Sequence, residues 1–373
     1  AERALPAFEH PRDDARDERI GRYVSRLVED GATLQVGPGR VPNNAVRHLG
    51  ERRGLRVLTD LLSEELAALL DAGAIAGDDG DDPAVMASFC TGSRALLERV
   101  GADARFTFWP IETVADEVRL RGRERMVSIT QALAIDLTGQ ACCDRAGEVV
   151  FGGLGSQPEF MRAAAGAPRG KPILCLYSTD ASGASNVRAA LAPGEAVAIP
   201  RSDVHFVVTE WGIASLYGKS IESRVLAIVE VAHPEHRKAL LEEAKATGLI
   251  PRGHRAASAG HYRVEDEREV LTRKGDAVLL RPATLADVPE MQRLSHRFPS
   301  QDVYLRFFRY LRSLSLDEAV RLCIGDQALD AMYVATVGER EAERIIASAQ
   351  YFGDPTTRLA EVGYLVDPDW QGS

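Results

Sequence analysis

Two glycine-rich loops contain the residues of this sequence that are best placed for chemistry. Each loop follows an apolar, strand-like run and precedes a helix-like stretch. Glycine lets the main chain approach a ligand closely, and it also permits a tight strand-to-helix turn. We interpret both loops as ligand-binding, with a tight turn as the alternative for each. The residues are Gly37 and Gly39 in the first loop and Gly152, Gly153, Gly155 and Gln157 in the second.

Three other patterns carry weaker chemical signals. The stretch 218–220 reads Gly-Lys-Ser, but five residues instead of four separate its glycine from the preceding one, so we exclude a nucleotide-binding loop. His205 is a candidate base, although a hydrogen-bonded histidine at the start of a strand is the preferred interpretation. His233 and His236 have no third ligand near them in the sequence. No spacing of Cys or His therefore predicts a metal site.

Composition indicates a soluble protein from a reducing compartment. The chain has 373 residues and a formal net charge of −10, which argues against a nucleic-acid surface. Its apolar runs are too short for a membrane span, and its charged N-terminus does not resemble a secretory signal. The five cysteines include no Cys-x-x-Cys pair, and adjacent Cys142 and Cys143 are expected to be buried. We predict a cytoplasmic location, with no membrane or nucleic-acid partner and no disulfide framework.

The order of apolar and polar residues predicts two domains of different class. After a lead-in at 1–19, residues 20–250 repeat a strand, glycine turn and helix, which is typical of an α/β fold with a mostly parallel sheet. One of the expected strands is at 195–200. A charged, irregular linker follows at 251–275. Residues 276–373 contain a strand, helices and three successive strands, which predicts a smaller α+β domain.

Four sequence blocks resemble, in order, the C-terminal half of the acetyl-CoA hydrolase/CoA-transferase family, which includes acetate and 4-hydroxybutyrate CoA-transferases. The blocks are GATLQVGPGRVPNNAV, AIDLTGQ, FGGLGSQPEFMRAA and RSDVHFVVTEWGIASLYGKSIESR, within residues 20–250. The resemblance implies coenzyme A or acetyl-CoA as substrate or ligand. It also implies acyl transfer through an enzyme glutamyl-CoA thioester, with N–H groups of the second glycine loop stabilising the oxyanion.

The sequence departs from this family at the nucleophile. The resemblance places the nucleophilic Glu two residues before the Asp of the DLTGQ block, and that position is Ala134. Alanine cannot form an anhydride with an acyl group. We expect Asp136 to hold a turn, and Glu148 and Glu159 to have surface or capping roles. Replacement of the missing Glu by another carboxylate is therefore not expected.

A second departure concerns length. The family has a related N-terminal half, which this sequence lacks, and the sequence begins without Met. We expect a processed chain or a piece of a longer protein, unless one half acts alone or the start is a cloning artefact.

Residues 276–373 resemble the GNAT acetyltransferases, particularly the protein-lysine type. The resemblance is carried by VLLRPATLADVPEMQRL, YLRFFRYLRSLSLDEAVRL and RLAEVGYLVDPDWQGS, with an amphipathic helix around Arg306–Arg312. It implies that Glu361 is the general base for the amine, with a surface Glu on an edge strand as the alternative. It also implies that Gln371 and Gly372 begin the loop that binds the pyrophosphate of acetyl-CoA. The sequence stops at that loop, so we expect an incomplete, truncated acetyl-CoA site.

These observations support one leading hypothesis and two alternatives. The leading hypothesis is an acyl-CoA-handling fusion protein. Its CoA-transferase-like domain binds acyl-CoA without the covalent step, and its GNAT domain moves acetyl to a protein lysine or a small amine. The first alternative is an active acetyl-CoA hydrolase or CoA-transferase that uses water or another carboxylate. The second is a non-catalytic structural or interaction module. The oligomeric state stays open.

Overall fold

The structure is a computed structural model, and contacts within the chain divide it into two compact units, Ala1–Tyr217 and Gly218–Ser373. The residues that it describes are 7, 15–77, 83–146, 149–153, 155–251, 266–284, 287–299, 301, 303–304, 314, 316–323, 330–338, 343–354, 357 and 359–372.

The first unit contains most of the helices and strands. Its helices are α1 (Ala15–Ser25), α2 (Arg40–Arg47), α3 (Glu64–Asp71), α4 (Arg94–Ala102), α5 (Ile111–Val114), α6 (Glu117–Arg121) and α7 (Gln157–Gly166). Its strands are β1 (Thr33–Val36), β2 (Arg56–Leu62), β3 (Val85–Cys90), β4 (Phe106–Phe108), β5 (Met126–Gln131), β6 (Ala134–Asp136), β7 (Ala141–Cys142), β8 (Arg145–Ala146), β9 (Val149–Val150), β10 (Lys171–Cys175), β11 (Val187–Arg188), β12 (Phe206–Thr209) and β13 (Gly212–Ser215).

An eight-stranded sheet forms the centre of this unit, in the order β13-β12-β10-β5-β1-β2-β3-β4. All neighbouring strands are parallel except β12 and β13. The chain builds the sheet outward from β1 in one direction to β4 and then returns to the other side of β1 with β5. In α/β sheets of this kind, ligands bind at the carboxyl ends of the strands where the order reverses. That position here is the edge where β1 and β5 end.

Buried apolar residues explain why these segments form a two-sided sheet. Every residue of β1 and β10 is buried, as expected for strands covered on both faces. On one face, Phe160 and Ala163 of α7 pack with Leu58 of β2 and Met126 of β5 in one apolar cluster. Helix α7 therefore lies across the strands next to the predicted switch point.

Two small sheets accompany the large one. The order β11-β6-β7 makes a three-stranded sheet, and β8 pairs with β9 in a two-stranded ribbon. The Asp136 carboxylate closes the turn between β6 and β7, because it accepts hydrogen bonds from Thr138 N at 2.8 Å and Gly139 N at 3.1 Å. Gly139 has a φ of 98°, which favours glycine. The turn role expected for Asp136 is therefore what its contacts show.

The second unit combines helices with an antiparallel sheet. Its helices are α8 (Ile221–Val231), α9 (Pro234–Ala246), α10 (Val288–Ser295) and α11 (Leu316–Cys323), and its strands are β14 (Arg268–Leu271), β15 (Ala277–Pro282), β16 (Asp330–Val337), β17 (Arg344–Asp354) and β18 (Leu359–Val366). The strands pair antiparallel in the order β14-β15-β16-β17-β18. Val278, Ala335 and Ile346 form a buried cluster on this sheet, against which Trp370 packs.

The predicted fold class is confirmed: an α/β unit with a mostly parallel sheet and a smaller unit of mixed helices and antiparallel strands. One expected detail is wrong: the stretch 195–200 makes one isolated bridge, Ile199 with Ala141, instead of a strand. Helix α1 begins within the predicted lead-in, where Asp17 is buried and accepts a hydrogen bond from the Tyr177 hydroxyl. Strand β14 lies within the predicted linker and forms a hairpin with β15.

The predicted domain boundaries stay a prediction. The two compact units meet after Tyr217, whereas the sequence predicts that the first domain ends at residue 250. Arg306–Arg312 and Glu148 lie outside the described residues. In the part of the chain that the structure describes, no helix has the length and apolar character needed to cross a membrane.

Candidate functional site

The first glycine loop requires glycine at Gly39. This residue has a φ of 138° and immediately precedes α2. A Cβ atom built on it would lie 2.3 Å from Gln131 Oε1, at the end of β5. The backbone conformation and the close approach to β5 both exclude a side chain, so the fold itself explains Gly39.

The second glycine loop gives a different result. Gly155 has a φ of 59°, which favours glycine. Gly152 and Gly153 do not have a positive φ, they are exposed, and a Cβ atom on either would meet no atom of the described residues within 4 Å. A tight turn therefore explains Gly155 but not Gly152 or Gly153.

Hydrogen bonds fix both ends of the second loop to the first unit. At its start, Phe151 N and Gly152 N donate to Asp144 O at 2.7 and 3.3 Å. At its end, Ser156 Oγ donates to Asp60 Oδ2 at 2.9 Å. Because Asp60 is on β2, this bond ties the start of α7 to the edge of the sheet.

A row of polar side chains continues from Asp60 into the sheet. Gln35 Nε2 on β1 donates to Asp60 Oδ1 at 3.4 Å, and Ser128 Oγ on β5 donates to Gln35 Oε1 at 2.6 Å. Leu61 N also donates to Asp60 Oδ1, at 3.0 Å. Asp60, Gln35 and Ser128 are all buried. The carboxylate therefore sits inside the fold with donors on both oxygens.

Sequence reasoning missed this polar row. The signal that could have found it is a polar residue inside each of three apolar strands, in the runs LQV, VLTD and VSIT. Buried polar groups in a sheet need partners, so three such strands predict a shared network. The sequence does not show which strands are neighbours.

Two further buried polar atoms, one on β5 and one at the start of α7, have no hydrogen-bond partner among the described residues. They are Thr130 Oγ1, on a fully buried residue of β5, and Gln157 Oε1, at the start of α7. Gln157 was predicted as part of the second loop, and the structure places it directly after Ser156 at the first turn of the helix. Unpaired buried oxygens of this kind are uncommon and call for an explanation.

The two predicted loops meet at this edge. Gly37 N, directly after β1, donates to Ile129 O of β5 at 2.8 Å, and an ideal Cβ on Gly37 would lie 3.7 Å from Thr130 Cα. Asp60 in turn holds the second loop through Ser156. The first and second glycine loops therefore share one carboxyl edge.

Position 134 offers no nucleophile. Ala134 is 1 % exposed and pairs with Cys142 of β7. Asp136, two residues later, uses its carboxylate in the turn described above. Glu159 is exposed in the first turn of α7, where a negative charge is favourable. Ala134 and Asp136 therefore supply no free carboxylate at the second loop.

The cysteines and histidines do not form a second centre in the described residues. All five cysteines are free thiols. Burial raises the pKa of Cys143 to about 12, so its reactive thiolate is scarce at neutral pH. His205 is buried beside the Tyr217 ring, with 4.4 Å between ring centroids. No three His, Cys, Asp or Glu side chains in the described ranges are grouped to hold a metal ion.

The predicted residues of the second unit lie on its edge strand, β18, or shortly after it. Glu361 is exposed on β18, which pairs with β17 through Phe352. It shares one face of the strand with Gly363 and Leu365, which are buried. After β18 the chain makes a 3-10 turn at Pro368–Trp370, and Gln371 Nε2 donates to Val366 O at 3.2 Å.

Asp367 anchors the segment that contains Gln371 and Gly372. The carboxylate is 1 % exposed and accepts hydrogen bonds from Arg297 at 2.8 Å and Arg344 at 2.7 Å. Gly372 has a φ of 76°. The two arginines therefore fix the position of Asp367, the residue between β18 and the segment at 371–372.

Comparison with known proteins shows that much of this chain is similar to CoA-transferases. Residues 92–244 match the acetyl-CoA hydrolase/transferase C-terminal domain. A succinyl-CoA:cyclohexane-1-carboxylate CoA transferase from Geobacter metallireducens is 33% identical over 237 residues, which are 63% of this chain and 54% of that protein. The chain thus spans about half the length of the curated relatives it matches.

Solved structures give the same result for this part of the chain. RipA from Yersinia pestis has a TM-score of 0.61 and 31% identity, and the match covers 66% of this chain and 57% of RipA. The GNAT domain of S. lividans PAT matches 30% of this chain and 65% of that domain at 25% identity. Its TM-score of 0.27 is too low to show a shared fold. Residues 92–244 of this chain are therefore similar to the C-terminal domain of the acetyl-CoA hydrolase/transferase family.

Proposed function

We propose that the first unit binds an acyl-CoA at the carboxyl edge of its parallel sheet, with the second glycine loop against the thioester. The observation that carries the proposal is the pair Gly152 and Gly153, which have room for a Cβ atom and do not have a positive φ. Glycines that the fold does not require are explained by the close approach of a ligand to the main chain. The family of residues 92–244 implies a CoA thioester.

The proposed site lacks the covalent glutamyl step. The CoA-transferase mechanism implied by the resemblance needs a carboxylate that first attacks the acyl group and then carries CoA. Ala134 is a buried methyl group at that position. Binding of acyl-CoA is therefore expected without formation of an enzyme-CoA thioester at residue 134.

Titration calorimetry of the chain with CoA and with acetyl-CoA tests the binding. We expect saturable heat with a one-to-one stoichiometry. A free adenosine 3′,5′-bisphosphate titration is the matched control, because it lacks the thioester arm that the second loop contacts and should bind more weakly. An absence of heat with either CoA compound would overturn the proposal.

A second candidate function, acetyl transfer to an amine, concerns the second unit. The observation that favours it is the position of Glu361, exposed on β18 but on the same face as buried Leu365. A base at the rim of a sheet face can reach both solvent and a bound substrate amine. Transfer of labelled acetyl from acetyl-CoA to a lysine peptide or to a small amine tests this function, and transfer to neither class would exclude it.

A further inference from the structure

We propose that the second unit binds a free amino acid beside Phe352, with the ammonium group on Glu361 and the carboxylate on Arg321. This inference rests on the second candidate function, acetyl transfer to an amine, and names the class of amine that accepts the acetyl group. It gives a role to Arg321, which the general-base role of Glu361 does not involve.

Phe352 on β17 is the centre of the proposed site. The residue directly opposite it on β18 is Glu361, and the residue directly opposite it on β16 is Asp330. Directly opposite residues of antiparallel strands have Cα atoms about 4.5–5.5 Å apart and present their side chains on one face of the sheet. Two carboxylates therefore flank the half-buried Phe352 on one face.

Arg321 of α11 brings a positive charge to this row. Its Cζ atom lies over the Phe352 ring, 5.6 Å from the ring centroid. The next two residues of the helix, Leu322 and Cys323, are buried, and α11 contacts β16, so packing of the helix determines where the Arg321 side chain begins. A cation in the last turn of a helix is favourable by itself, but that position does not require contact with the ring.

The charge of Arg321 is not used by the described part of the chain. Among the described residues Arg321 forms no hydrogen bond or ion pair, although Glu361 and Asp330 lie next to the same ring. Asp330 is tied to the main chain, because Gly353 N donates to its Oδ1 at 3.1 Å. The exposed side chains of Arg321 and Glu361 therefore border one ring without meeting.

Opposite charges in this arrangement suit a small ligand that carries both charges. The guanidinium of Arg321 can donate two parallel hydrogen bonds to a ligand carboxylate, and Glu361 can accept from a ligand ammonium group. A free amino acid has both groups on one carbon, which would lie against the Phe352 ring. A lysine side chain of a protein brings only a cation, which Arg321 repels. The geometry therefore favours a free amino acid over a protein lysine.

The transfer step balances with acetyl-CoA as the second reactant. Glu361 accepts one proton from the ammonium group, and the freed nitrogen lone pair forms a bond to the thioester carbonyl carbon. The C–S bond then breaks, and the thiolate takes a second proton from the nitrogen. Glu361 returns its proton to solvent. The products are an N-acetyl amino acid, CoA with its thiol free and one proton.

Matched pairs of ligands test the class of acceptor. Each pair is a standard amino acid and its amide, which has the same amine but no negative charge. Binding to the full chain is measured by NMR titration without acetyl-CoA, and acetyl transfer is measured by release of the CoA thiol. We expect at least one amino acid to bind about 10- to 100-fold more tightly than its amide, because the amide lacks the charged hydrogen bonds to Arg321.

Substitution of Arg321 tests the residue. Arg321→Met removes the charge and keeps a long side chain on the Phe352 ring. It should raise the Kd and KM for the amino acid about 10- to 100-fold, while the affinity for the amide does not fall and the melting temperature is unchanged. Arg321→Lys keeps the charge and should retain part of the preference. Arg273→Met is the matched control, because Arg273 is exposed in the turn after β14, at the other edge of the sheet from β18.

The two measurements separate this inference from the function on which it rests. A chain that prefers an amino acid to its amide through Arg321, but transfers no acetyl group, overturns acetyl transfer and leaves the amino acid site intact. Acetyl transfer to a lysine peptide in preference to every free amino acid overturns the proposed acceptor and leaves acetyl transfer intact. The site is also overturned if no amino acid binds, if acids and amides bind equally, or if Arg321→Met keeps the wild-type preference.

Discussion

Replacement of Gly152 and Gly153 by alanine separates a ligand-binding loop from a structural turn. A Cβ atom at either position meets no described atom within 4 Å, and neither residue has a positive φ. Gly→Ala at a compatible position stabilises a protein by about 0.4–1 kcal/mol through the unfolded state. We therefore expect the double variant to be as stable as the wild type or up to about 2 kcal/mol more stable.

The same double variant should bind CoA more weakly. Two methyl groups that project toward a closely packed ligand cost about 1–3 kcal/mol. Since about 1.4 kcal/mol is a factor of ten in Kd, the affinity should fall at least about fivefold. Urea unfolding gives the stability, and calorimetric titration with CoA gives the affinity.

Two glycines supply the controls for this experiment. Gly101→Ala in α4 also meets no atom within 4 Å, so it should raise stability by about 0.4–1 kcal/mol and leave the CoA affinity unchanged. Gly39→Ala should lose about 1–3 kcal/mol of stability, because φ is 138°. An unchanged Kd for CoA in the Gly152/Gly153 double variant would refute the ligand interpretation of the second loop.

Three further predictions concern single side chains. Burial alone would raise the pKa of Glu29. The hydrogen bond that Lys171 donates to Glu29, together with the charges of Lys171 and nearby arginines, has the larger effect and lowers this pKa below 4.5. The interaction of ionised Glu29 therefore stabilises the first unit above about pH 4.5, and this stabilisation is lost as the pH falls through the lowered pKa. Urea unfolding of Glu29→Gln should show a free energy of unfolding about 2 kcal/mol below that of the wild type at pH 7, and this difference should shrink toward pH 3. Asp367→Asn should destabilise the second unit by about 3 kcal/mol, because Arg344 and the other arginine that donates to Asp367 lose their buried anionic partner. Faster amide hydrogen exchange in β17 and β18 should show this loss of stability. Glu361→Gln should slow acetyl transfer to a lysine peptide about 100-fold in a stopped assay, and an unchanged rate would contradict the base role.

The sequence predicts the elements of the large sheet well, because local patterns determine them. Strand β10 has the sequence KPILC, which is apolar after Lys171, and all five of its residues are buried. The glycine turns that follow the strands were also visible in the sequence. The stretch 195–200 has similar β-forming residues, but only Ile199 bridges to another strand, so local propensity gave the wrong answer there.

The contacts that make the site could not be predicted, because they join distant parts of the chain. Asp60 and Ser156 are 96 residues apart in sequence, and Gln35 and Ser128 are 93 apart. Their meeting depends on strand order, which places β1 between β2 and β5. The reason for glycine at position 39 is likewise a side chain on another strand, Gln131.

The family resemblance identified the loop but not the groups beneath it. It directed attention to Ala134, whose lack of a carboxylate is evident from the sequence alone. It did not point to Asp60, which is the carboxylate that the structure places under the loop. The missing glutamate and the buried carboxylate beside the loop were therefore found by different kinds of reasoning.

The most direct test of the account is isotope exchange between labelled acetate and acetyl-CoA. The central claim is that the first unit has an acyl-CoA site without the glutamate that carries CoA, because position 134 is a buried alanine. We predict no transfer of label from acetate into acetyl-CoA by the wild-type chain, at protein concentrations that give saturable CoA binding. Rapid exchange of the label would contradict the claim, because it would require an enzyme carboxylate that carries CoA.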